Sequence, residues 1–430
     1  IAGIRAGRFE GRVQLRNEHA DGNVVESGRI PVAYELLETT IQEVGEGGSL
    51  GQFIPVTGGG FIGGEDGVTL LQLEGQYFAD DGVGGVDVPP LPIIPEFVNG
   101  NEIRYIINEE DALGQALENQ GGVRYAAGAF DGTVRAIVQY GADELEGPVT
   151  PLTFRIEPVK QVVYVVFNQS YVESLRKFGM RAMDRRIRDR VLEVMRRDYE
   201  GVNVEFREEE PEDFKWYAQI EISGPDPNGL GLLGYDNTNG KDRNNERLYD
   251  KIGGVNALTQ EDGYAGYGGV FIESMFTFSN HPPDGIVAEV GNPLFDQIFD
   301  PFRPDRGKPV SSEDEIGGGI PVLTSGGGCP TSERRLQAAC AVWVIGSLIG
   351  TTTTHELGHS LGLADPVGTR FHNLGDSGPA LMDSGGARPF EERAELMGQG
   401  PSLFCDVAYD YLLEILPSEE PATDFPRPPC

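Results

Sequence analysis

TTTTHELGHSLGLADP, residues 351–366, is the stretch on which the reading of the whole chain turns. It continues the apolar run LQAACAVWVIGSLIG at 336–350, and that run, short of the ~20 residues that span a bilayer, reads as a buried helix. Residues four apart on a helix share a face, so His355 and His359 can hold one zinc ion through their imidazole nitrogens. Glu356, beside the first histidine, can act as general base toward the water that such a zinc activates. Gly362 can adopt a backbone conformation that a β-carbon penalises, ending the helix and turning the chain back. That turn swings Asp365 toward the metal as a third ligand. Three protein ligands plus water is the open arrangement of a catalytic zinc site, whereas a structural site is closed by a fourth.

ALMDSG at 380–385 places Met382 seventeen residues beyond Asp365, and a methionine in a tight turn can form a hydrophobic floor beneath the ligands. HELGHSLGLAD followed by ALMDSG resembles the metzincin clan of zinc metallopeptidases, whose pattern is HExxHxxGxx, then His or Asp, then a Met-turn. The Asp variant is most similar to the snapalysin-like branch of bacterial secreted enzymes. Residue by residue, the resemblance implies zinc ligands His355, His359 and Asp365, general base Glu356, helix-breaking Gly362 and Met-turn Met382. It implies a secreted zinc-dependent endopeptidase acting on proteins or peptides, with residues 159–430 as an α/β metzincin-like catalytic domain. Residues 1–158 fall outside it. His372, in FHNLGD at 371–376, is a rival third ligand, and Glu392 or Glu395 of RPFEERAELMG would serve if the lobe were built like gluzincins.

Composition narrows the field from the other side. The 430 residues carry a formal charge of −34. Such a chain lacks the basic face that phosphate neutralisation needs, which sets aside nucleic acid and anionic membranes as partners. Sixty glycines point to turns and long loops rather than helical bundles. At 39% hydrophobic and 9% aromatic, the chain can offset its conformational entropy. No basic segment followed by an apolar one opens it, so any signal peptide is expected to have been removed. A monomer with no membrane span is the expectation.

The first part, to about residue 158, alternates apolar and polar residues in FEGRVQLR at 9–16, IPVAYELL at 30–37, GTVRAIVQY at 132–140 and PLTFRIEP at 151–158. Such alternation, bounded by turn residues, predicts an all-β, sandwich-like domain, with EEDALGQALENQ at 109–120 as one short helix. No lysine precedes Lys160. Beyond it QVVYVVFN at 161–168 reads as a strand covered on both faces. A helix follows, with apolar positions at Leu175, Phe178, Met183, Ile187, Val191 and Val194. VNVEFRE at 202–208 and FKWYAQIEISG at 214–224 supply further strands. By the metzincin resemblance a substrate would pair with the sheet's edge strand, for which GGVFIES at 268–274 is the candidate.

Cys329, Cys340, Cys405 and Cys430 lack the paired CxxC spacing of a zinc ribbon. Two disulfides in an oxidising compartment fit better, placing the protein outside the cell or on its surface. The pairs nearest in sequence are Cys329 with Cys340 and Cys405 with Cys430, though three connectivities exist. YDNTNGKDRNNE at 235–246 offers Asp236, Asn237, Asn239 and Asp242 as a calcium site, or else a solvated turn cluster; it lacks EF-hand spacing. His19 and His281 stand apart from the motif. Of a different functional class is a non-catalytic adhesion or carbohydrate-binding protein with a structural zinc site, against which Glu356 speaks, since a structural site needs no base. If residues 1–158 are an inhibitory pro-segment, Asp80 or Asp81 would have to block the metal, because that segment has no cysteine.

Overall fold

The computed structural model describes residues 7–36, 38–64, 67–80, 82, 85–118, 122–124, 127–238, 243–255, 266–286, 289–314, 327–363, 380–385, 388–418 and 426–430. The chain divides into two compact units, Ile1–Pro158 and Val159–Cys430, and is built mostly of β-sheets with some helices.

In the first unit, Gly67–Ala79 and Gly128–Tyr140 pair antiparallel along their whole length. They lie inside a sheet ordered Gly47–Gly48, Thr150–Ile156, Gly128–Tyr140, Gly67–Ala79, Val86–Ile93, with Asp143–Glu146 also on Gly128–Tyr140. Because side chains alternate across a strand, Leu71, Leu73 and Tyr77 from one long strand and Phe130, Val134 and Ala136 from the other are buried. A second sheet runs Glu96–Asn99, Glu102–Ile106, Phe53–Gly59, Thr40–Val44. The expected helix at 109–120 is one short element, Ala112–Ala116, whose start is capped by Asp111 accepting from Gly114 N–H.

The second unit is organised around a sheet ordered Val204–Arg207, Gln161–Phe167, Ala218–Ser223, Gly269–Phe271, Gly234–Tyr235. The first four strands are parallel and the last antiparallel. Lys251–Ile252 also pairs with Ala218–Ser223. This corrects the expected substrate edge. The strand within 268–274 is internal, because the short segment Gly234–Tyr235 covers its outer side, and Ile272–Phe278 leaves the sheet as a 3₁₀ turn.

The helix expected after the first strand of this unit is interrupted. Gln169–Leu175 and Asp184–Asp198 are separate helices, divided at Gly179, whose φ is +69°. A β-carbon there would stand 1.8 Å from the Phe302 carbonyl oxygen, and Val310 N–H donates to the Gly179 carbonyl. Apolar periodicity runs on across the break, but the backbone must turn where a second segment docks on it.

Arg334–Ser360 is the central helix. It is longer than the apolar run because it continues through the threonines and HELGH. By length and composition it could cross a membrane, yet 89% of its most apolar window is buried inside the unit. It packs on Asp184–Asp198 through two glycines. A β-carbon at Gly346 would meet Arg190 Cγ at 2.5 Å, and one at Gly350 would meet Val194 Cβ at 2.7 Å, so any side chain there would force the helices apart. Arg190, fully buried, stacks 3.5 Å from the centre of the Trp343 ring and shares Glu395 with Arg197. Disulfides join Cys329 to Cys340 and Cys405 to Cys430. The second holds the proline-rich end against the helix Asp406–Ile415, where Asp406 N–H donates to Pro428.

Candidate metal centre

The last turns of the central helix are buried and polar at once, which is expensive unless each group has a partner. Thr352, Thr353 and Thr354 return their hydroxyls to the carbonyls four residues back. His355 and His359 then project from one face, each only 7% exposed. Their Nδ1 atoms face backbone carbonyls, Leu381 at 2.7 Å and Leu363 at 3.0 Å. A carbonyl only accepts, so both Nδ1 carry the proton and both Nε2 carry a lone pair. Those Nε2 atoms stand 3.2 Å apart. Two nitrogens bound to one tetrahedral zinc at 2.0–2.1 Å are separated by about 3.3 Å. The pair therefore has both the tautomer and the spacing of two zinc ligands, and burial, which lowers the His359 pKa, favours the neutral form that ligation needs.

The carbonyl that holds His359 is supplied by the helix end. Gly362 has φ +95°, its N–H donates to His359 O and the Leu363 N–H to Gly358 O. This is the reciprocal closure of a helix on a left-handed residue, which costs a non-glycine residue about 1–2 kcal/mol. Tyr411 O–H caps the Leu361 carbonyl. Asp365 and its rival His372 lie outside the described residues.

The carbonyl that holds His355 comes from a turn at Ala380–Asp383, closed by Asp383 N–H donating to Ala380 O and pinned by Leu381 N–H donating to Leu403 O. The next residue, Met382, is fully buried. Its sulfur would lie 2.7 Å from a β-carbon placed on Gly358. Met382 thus packs against the helix backbone between the two histidines, and Gly358 is the residue that lets it in. Gly358 carried no signal in the sequence beyond its place inside HELGH.

Glu356 points to the sheet. A β-carbon at Gly234 would be 2.4 Å from its Oε1, so the edge strand passes directly over the carboxylate. Burial pushes the Glu356 carboxyl up to about 8, with Asp236 adding to the rise and Arg393 opposing it, and the Asp236 backbone N–H donates to it. A carboxyl poised near neutrality can both take and return a proton at working pH. Because its folded value exceeds the ordinary 4.5, the folded state keeps a proton that the unfolded chain releases between those pH values. This contribution to stability is present at acidic pH and is lost as pH rises toward about 8. Melting curves of metal-free protein should show Glu356→Gln gaining several degrees on wild type between pH 5 and pH 8; parallel curves would contradict the burial of this charge.

The calcium candidates are engaged with their own chain. Asp236 Oδ1 accepts from the Thr238 backbone and hydroxyl, and burial raises its pKa to about 6. Asn237 donates to Gly253 O and Gly266 O and accepts from Gly253 N–H; it staples two loops. Asn239 and Asp242 lie outside the described residues. The alternative glutamates are also committed: Glu392 accepts from Arg388 and Ser402, and Glu395 from Arg190 and Arg197. Asp80 is paired with Arg155 through both oxygens, and Asp81 lies outside the described residues. His281 sits 3.3 Å from Asp300 and 3.6 Å from Asp296. Arg303 shares Asp300, and Ser279 and Asn280 occupy Asp296, so that cluster is an ion-pair network.

No family model matches the chain, and no curated protein matches it. Among solved structures, the crystal structure of chicken CNTN1 FN1-FN3 domains aligns over 36% of this chain and 46% of that one, at 13% identity and a TM-score of 0.16. A likeness of that size assigns neither fold nor function.

Proposed function

We propose that the protein is a secreted, zinc-dependent endopeptidase of metzincin type, acting as a monomer on proteins or peptides. Its second unit would be the catalytic domain, and the first a sandwich-like accessory or pro-domain. The observation that carries the reading is the pair of Nε2 atoms 3.2 Å apart, each histidine held by a carbonyl on its other nitrogen, with the Glu356 carboxyl on the adjacent residue. His355, His359 and, by the metzincin resemblance, Asp365 would hold the zinc ion, which would supply Lewis acidity toward a peptide carbonyl and toward water. Glu356 would take the proton from the attacking water and return it to the departing amine. Gly234, lacking a side chain, leaves the carboxylate room under the edge strand, and in this reading an extended peptide substrate pairs with the sheet at that strand. The two disulfides suit an oxidising compartment.

Calcium binding near Asp236 is no part of this reading, because the described side chains there serve their own loops. A purely structural zinc would leave the buried Glu356 without a use. The experiment is casein hydrolysis by zinc-loaded protein. Activity should vanish in a strong chelator and return on adding stoichiometric zinc. Hydrolysis indifferent to the chelator, or none by protein carrying one zinc per chain, would overturn the proposal.

A further inference from the structure

Arg388 is buried, with its side chain fully shielded from solvent, and it bonds in four directions. Its Nη1 donates to the Leu381 carbonyl at 3.3 Å, the same oxygen that accepts from His355 Nδ1. Its Nη2 donates to Thr351 Oγ1 at 2.8 Å and to Ser402 Oγ at 2.7 Å. Its Nε donates to Glu392 at 3.1 Å, and Ser402 donates to the same Glu392 oxygen. Thr351 stands four residues before His355, hence on the same face of the helix.

We propose that Arg388 is the positioning residue of the zinc centre: its guanidinium clamps the Leu381 carbonyl to the turn of helix preceding His355, and so sets that ligand's tautomer and ring orientation. This rests on the zinc reading above. A carbonyl oxygen has two lone pairs, and here one is taken by Arg388 and the other by His355. The imidazole can then meet that oxygen from one side only. The planar fork joins three segments that are distant in sequence: the helix at Thr351, the turn at Leu381 and the strand-like stretch at Ser402. An ammonium is a point charge and cannot span them. Partners that orient a metal-bound histidine are typically worth 10–100-fold in metal affinity.

Removing Arg388 alone would strand Glu392 as a buried charge and endanger the fold. The decisive variant is therefore Arg388→Met combined with Glu392→Leu, which replaces the ion pair by apolar groups and leaves the Leu381 carbonyl unclamped. Arg388→Lys is the conservative companion, read on its folded fraction. Zinc affinity is measured by chelator competition on the full chain, and the cobalt-loaded protein gives the visible spectrum of the centre. The double variant should melt within a few degrees of wild type, bind zinc about 10–100-fold more weakly and show a shifted cobalt spectrum. Arg388→Lys should fall between. Wild-type affinity and spectrum in folded protein of either variant would overturn the inference and leave the zinc reading intact. A wild type that binds no zinc would overturn the zinc reading and this inference with it.

Discussion

Glu356→Gln is expected to lower kcat for peptide hydrolysis by about 10²–10⁴-fold, the usual contribution of a positioned general acid and base, with zinc content and KM little changed. The substitution is close to isosteric. Glutamine keeps an oxygen to accept from the Asp236 backbone and fits the space left by Gly234, where only 2.4 Å separates Oε1 from a notional β-carbon. What it removes is a basic oxygen able to take a proton. The neighbouring histidines keep their carbonyl partners, so binding of metal and substrate should survive. Full activity in the variant would sink the assignment of Glu356. Loss of zinc along with activity would show that the side chain acts on the metal site rather than on the proton.

His359→Ala is expected to weaken zinc binding by more than the about 10–100-fold that losing an orienting partner costs, and to take hydrolysis to background. One of two Nε2 atoms 3.2 Å apart is deleted, leaving a site that needs at least three protein ligands with two. The fold should persist, since the helix is anchored earlier by Ile345, Leu348 and Ile349, all buried, and Gly362 can still close the helix end. Metal analysis by mass spectrometry on folded protein checks the prediction, and retention of more than half the zinc would contradict the ligand set.

How far these expectations were legible beforehand depends on how local their causes are. That His355 and His359 share one helical face could be read from spacing, because helical geometry is set by neighbours three and four residues away. Gly362 could be read because one backbone angle ends the helix. The periodic pattern failed at Gly179, where the chain turns to meet the Phe302 backbone, 123 positions further on. The edge strand, expected at 268–274 from the metzincin resemblance rather than from periodicity, also lies elsewhere. Which of two short segments lies outermost depends on the path of a glycine- and asparagine-rich loop, whose composition says only that it turns. Asn237 looked like a cation ligand because an amide oxygen ligates cations and caps loops equally well, and only its partners separate the two.

The amino-acid order thus determines which atoms could bind a metal and that they share one helical face, since both follow from covalent spacing and a 3.6-residue turn. It does not determine which imidazole nitrogen carries the proton, how far the Glu356 carboxyl is lifted, or which guanidinium steadies the ligand. Those depend on Leu381, Gly234 and Arg388, 26 residues after His355, 122 before Glu356 and 33 after His355. They act only when folding removes water from between them, because protonation states respond to burial and to contacts that exist in three dimensions alone.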